Sequence, residues 1–96
     1  MSLMKMGFRI VHDGSERTVV AGPKQIVAFE RHWGLGLGKA LTEVRIEHLA
    51  WLAHAGCHAE AQAGNGPAVK PFDSWLDDLQ DIEALGEEPR PLDGTA

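Results

Sequence analysis

One stretch constrains this chain more than any other: "GFRIVHDGSERTVVAG", residues 7–22. Asp13-Gly14 is a turn dipeptide flanked on both sides by β-branched and apolar residues, which is the short-range signature of a β-hairpin. A two-residue turn would set Ile10 opposite Arg17 and Val11 opposite Glu16. A four-residue loop over 13–16 pairs Ile10 with Val19 and Phe8 with Ala21, which gives one wholly apolar face and is the register expected. A two-stranded ribbon is marginal in water by itself. The apolar face therefore needs a cover, supplied by the rest of the chain or by another subunit's sheet.

Helices are the expected cover. Gly22-Pro23 opens the first, since proline suits the first helical position, and Ile26, Phe29 and Trp33 form its stripe up to a capping Gly34. A second is expected to start near Thr42, with Glu43 in its first turn, and to run to "GNGP" at 64–67. Val44, Ile46, Leu49, Ala50, Leu52 and Ala53 spread apolar surface widely around it, as in a central buried element. Gly56 interrupts it, either ending the helix or allowing a close approach. "PFDSWLDDLQDIEALG", 71–86, reads as a third, with Asp73 as N-cap, a stripe of Phe72, Trp75, Leu76, Leu79 and Ile82, and a stop at Gly86. The expected fold is thus α+β, mainly α: an N-terminal hairpin followed by three helices. Residues 1–6 are expected to be a flexible lead, 7–85 a single domain, and 86–96, polar and proline-containing, a disordered tail.

With 96 residues, such a domain hides only about 60–65% of its unfolded surface. A net charge of −5 and the lack of any Lys/Arg cluster argue against nucleic acid as a partner. No apolar run is long enough to span a bilayer. A single cysteine, Cys57, cannot make an internal disulfide, which points to a reducing compartment, the cytoplasm.

The chemical motifs are sparse. "HWGLGLGKAL", 32–41, looks like a phosphate loop, but Gly34 and Gly38 are one residue too close for a P-loop, and Ala40 stands where the hydroxyl is needed. His54, Cys57 and His58, at i, i+3 and i+4, would share a helix face and are the one candidate metal or redox set; no further ligand completes a recognised spacing. Asp77, Asp78 and Asp81 fall on the expected solvent side of the third helix, so no acid–base pair is read into them. No cofactor and no catalysis are expected. From residue 71 onward there are eight Asp/Glu and one basic residue, Arg90. Such a surface suits a basic or mixed-charge helical partner held by apolar anchors. Three tryptophans from three helices are many for so small a core, so at least one is expected at an interface.

"VAFERHWG", "VRIEHLAWLAHAG" and "PFDSWLDDLQDIE", in that order, resemble the small tail assembly chaperones of long-tailed bacteriophages and prophages. The positions that carry the likeness are Phe29, Glu30 and Gly34, then Leu49 to Ala53, then Phe72, Asp73, Trp75 and Leu76, within a span of residues 7–85. His54, Gly56 and the alanine-rich continuation depart from the pattern. The resemblance implies a non-enzymatic, self-associating protein of the bacterial host cytoplasm. Such a protein coats the tape measure protein and helps recruit tail tube subunits before the tube polymerises. The expected partner-binding anchors are Trp33, Phe72, Trp75, Leu79 and Ile82, flanked by Asp77, Asp78 and Asp81. The alternatives are a small metal-binding or redox protein using His54, Cys57 and His58, or a generic phage-encoded interaction module.

Overall fold

The hairpin closes on two residues, not four. In the computed structural model, which describes residues 5–40, 42–43 and 45–86, Asp13 and Gly14 both take left-handed backbone conformations (φ 52° and 80°). Two successive positive φ angles make a turn whose twist matches the flanking strands. Strands β1 (Met6–His12) and β2 (Ser15–Ala21) consequently pair Met6 with Ala21, Phe8 with Val19 and Ile10 with Arg17. The four-residue register is therefore overturned. A wholly apolar face is not required, because Arg17, opposite Ile10, is the ion-pair partner of Glu60. Met6, assigned from sequence to the lead, is buried with Phe8, Ile10, Val19 and Ala21.

The expectation of a mainly helical domain with three helices is also overturned. Helix α1 (Pro23–Trp33) forms as the sequence indicates, with the Gln25 side chain accepting from the Gly22 N–H and Gly34 as a left-handed cap (φ 64°). A short helix, α2 (Leu37–Ala40), follows; the Glu30 carboxylate accepts from the Leu37 N–H at 2.9 Å, and Leu37 and Ala40 enter the core. The glycine-rich stretch is thus a connector that delivers Leu37 inward. Helix α3 (Ile46–Gln62) starts later than expected, after Arg45, because the Thr42 hydroxyl donates to the Lys39 carbonyl and does not cap it. Ile46, expected inside, is 63% exposed, while Val44 lies outside the described residues.

The largest difference is at 72–86. Helix α4 covers only Phe72–Asp77, with Pro71 and not Asp73 at its N-cap. Leu79–Gly86 is strand β3, which pairs antiparallel with β1, Ile82 opposite Ile10 and Ala84 opposite Phe8. Leu79 and Ile82 fit a helical stripe, but Asp81-Ile82-Glu83 also alternates with period two. The tie is broken by β1, whose second edge carries backbone groups that need partners. Two bonds from the hairpin turn fix the start of the strand: Asp13 N–H donates to the Asp78 carbonyl at 2.9 Å and Gly14 N–H to the Gln80 side chain at 2.7 Å.

The result is one antiparallel sheet, ordered β2-β1-β3, with its inner face against the helices. Helix α3 is the central buried element, as its breadth of apolar residues indicates: Leu49, Ala50, Leu52, Ala53, Gly56 and Cys57 are all buried. Gly56 is required by proximity. A Cβ there would lie 2.9 Å from the Val20 carbonyl oxygen, so the missing side chain lets helix and strand touch. The tail expected at 86–96 lies, beyond Gly86, outside the described residues.

Candidate functional site

The residues singled out from the sequence do not form one surface. Trp75 is 3% exposed and belongs to the core. Its indole stacks on His12 (ring centroids 4.8 Å, 21° apart), and His54 meets it edge-on at 5.4 Å. His12 Nε2 donates to the Trp75 backbone carbonyl at 2.9 Å, tying β1 to α4. Phe72 lies beside Trp75, half-buried, with ring centroids 6.4 Å apart. Leu79 and Ile82 are half-buried on β3 and packed against the core. Trp33 is elsewhere, in contact with Phe29, His32 and His48. A continuous stripe from Trp33 to Ile82 required a long third helix, and the turn at Asp78 removes it.

The three aspartates also part company. Asp77 is exposed. Asp78 accepts from the Lys70 ammonium at 2.9 Å, and that bond lowers the Asp78 carboxyl below the usual carboxylate range while raising Lys70. Asp81 accepts from Arg9 at 2.9 Å, as does Glu83, and Glu16 approaches the same guanidinium at 3.5 Å. These hydrogen bonds hold Arg9 above its ordinary range. What reads from sequence as a uniform acidic face is thus partly neutralised. Arg9 was not anticipated, although its outward register in β1 and the i, i+2 spacing of Asp81 and Glu83 carry the signal.

Nor do His54, Cys57 and His58 assemble. Among the described residues, no group of three His, Cys, Asp or Glu side chains is placed to hold a metal ion. Cys57 is 2% exposed in the core, His58 is exposed, and His54 donates through Nε2 to the Lys70 carbonyl at 2.7 Å. The shared helical spacing fails because three positions spread over about 100° of arc reach from core to solvent on a buried helix. Cys57 does line a cleft of about 440 Å³ between the hairpin end and residues 65–67, together with Ile10, His12, Arg17, Pro67 and Trp75. Burial pushes its thiol pKa up, only partly offset by Arg17. A thiol held in its protonated form is a poor nucleophile, and His12 is already committed to a backbone carbonyl.

A different surface emerges where α1 ends beside α3. His32 stacks on Trp51 at 5.0 Å and meets Trp33 edge-on at 4.9 Å, and Trp33 meets His48 at 4.7 Å. Phe29 lies in contact with Trp33, His48 and Trp51 and is itself fully buried. His32 is exposed, and Trp33, His48 and Trp51 are each partly open to solvent. Among the described residues, Trp33 Nε1 and His48 Nδ1 are buried without a hydrogen-bond partner, although their rings touch. Of this cluster, Trp33 is an expected anchor and Trp51 is one of the three tryptophans of which at least one is expected at an interface; His32 carries no such expectation. The i, i+3 spacing of Phe29 with His32 and of His48 with Trp51 was the available clue. No protein family, curated protein or solved structure matches this chain. No helix among the described residues is long and apolar enough to cross a membrane.

Proposed function

We propose that this chain is a non-catalytic binding module acting in the bacterial cytoplasm as a phage tail assembly chaperone. Its partner is an apolar helical segment of a tape measure protein, shielded until tail tube subunits replace the chaperone. The family reading rests on the sequence resemblance. The observation that carries the binding role is the aromatic face made by His32, Trp33, His48 and Trp51. Large rings that are open on one side and braced from below by Phe29 offer broad contact area at low entropic cost. Trp33 remains among the anchors. Trp75, Leu79 and Ile82 are reassigned to folding, and Phe72 with them. Self-association remains part of the proposal.

The test is capture of a tape measure fragment by the purified chain, with Trp51→Ala and His32→Ala as the variants and circular dichroism as the check on folding. Loss of one hydrophobic anchor is expected to weaken binding about tenfold or more. Unchanged affinity in folded variants would refute the assignment of this face. Equal affinity for an unrelated apolar helix of the same length would favour the generic interaction module.

A further inference from the structure

The sheet has a second face, and among the described residues helices cover only one. Phe8, Ile10, Val19 and Ala21 point to the helices and are buried. The alternate residues Arg9, Val11, Glu16, Thr18, Val20, Asp81, Glu83 and Leu85 are all partly or fully exposed. Two of the exposed large apolar side chains, Val20 (41%) and Leu85 (39%), flank Gly7 at one end of this face. A Cβ on Gly7 would lie 3.8 Å from the Leu85 side chain, so Leu85 leans across the central strand. Beside this apolar end, three carboxylates surround the single guanidinium of Arg9, and the side chains of Glu16, Asp81 and Glu83 are 57–63% exposed. Each offers Arg9 one oxygen, and the second oxygen of Asp81 accepts from the Ile82 N–H.

We infer that this helix-free face is a second docking surface, taking a basic segment that carries apolar side chains. Three carboxylates around one cation leave an excess of negative charge next to an apolar patch, and a Lys- or Arg-bearing segment with an apolar side chain over Gly7 complements both. A second copy of this chain does not, because it would set the same carboxylates against one another. The surface is distinct from the aromatic face and does not depend on the tail-assembly reading. With both in use, the domain bridges two partners of different chemistry.

The experiment titrates the intact chain with a capped peptide of alternating lysine and leucine, followed by backbone amide NMR. Alternating Glu-Leu and all-lysine peptides of the same length serve as controls. Saturable shifts at Val20, Glu83 and Leu85 with the Lys-Leu peptide are expected, with little response to either control. Glu83→Gln and Leu85→Ser are each expected to weaken binding about tenfold, whereas Trp51→Ala leaves it unchanged. Equal binding of all-lysine, shifts confined to the aromatic face, or concentration-dependent dimerisation abolished by Leu85→Ser would each overturn the proposal.

Discussion

Gly56→Ala sets two well-defined effects against each other. Helix propensity alone predicts a gain, since glycine in a helix interior is worse than alanine by about 1 kcal/mol. The structure predicts a loss. The new methyl carbon would sit 2.9 Å from the Val20 carbonyl oxygen and 3.2 Å from its carbon, both backbone atoms that no rotamer change can move aside. Relief requires α3 to lift from β2, which opens the layer holding Ala53, Cys57, Val19 and Ala21. Overpacking of this kind costs about 1–3 kcal/mol. With a rigid obstacle the upper part of that range applies, so the net loss is about 1–2 kcal/mol. For a domain of this length that corresponds to a fall in Tm of roughly 4–15 °C. Thermal and urea denaturation followed by circular dichroism measure it. Ala28→Gly, on the exposed side of α1, calibrates the propensity effect in the same protein. A rise in Tm for Gly56→Ala would refute the close-approach argument.

Trp75→Ala is expected to cost about 3–5 kcal/mol, a large fraction of a small domain's stability; a urea midpoint shift no larger than that of Trp51→Ala would place Trp75 outside the core. The Asp78–Lys70 pair acts at both ends of the pH range. The lowered Asp78 contributes stability above the ordinary carboxylate pKa that is lost as pH falls through its folded value, and the raised Lys70 contributes stability below the ordinary lysine value that is lost as pH rises through its own. Carboxyl NMR titration of Lys70→Met should return Asp78 to the ordinary range. Cys57 should resist an aromatic disulfide reagent in the native state by about a hundredfold or more relative to urea-unfolded protein. Because its folded pKa is raised, stability should also decline as pH climbs past the ordinary thiol value, where only the unfolded chain ionises.

The candidate site was less legible than the fold. Trp33 could be chosen from the stripe of α1, and it does lie on the aromatic face. Trp75 satisfies the same pattern and lies in the core, because apolar spacing reports that a side chain is covered and not by what. The neighbours that make the aromatic face, His32 and Trp51, come from helices whose crossing is fixed by packing. Neither residue says this in isolation.

Local chemistry alone determined the hairpin at Asp13-Gly14, the first helix between Pro23 and Gly34, and the broad burial of the segment around Leu49 to Ala53. In each, the decisive interactions are between residues near in sequence. Residues 79–86 are different, because Leu79 and Ile82 fit a helical stripe while Asp81-Ile82-Glu83 alternates with period two, and Leu79 joins Ile82 against the core only through the register shift between Val11 and His12. Only the exposed edge of β1 decides between the two patterns: a strand there pairs backbone groups that a longer helix would leave without partners. That choice then places Asp81 and Glu83 over Arg9, buries Trp75 against His12 and divides the expected docking stripe in two.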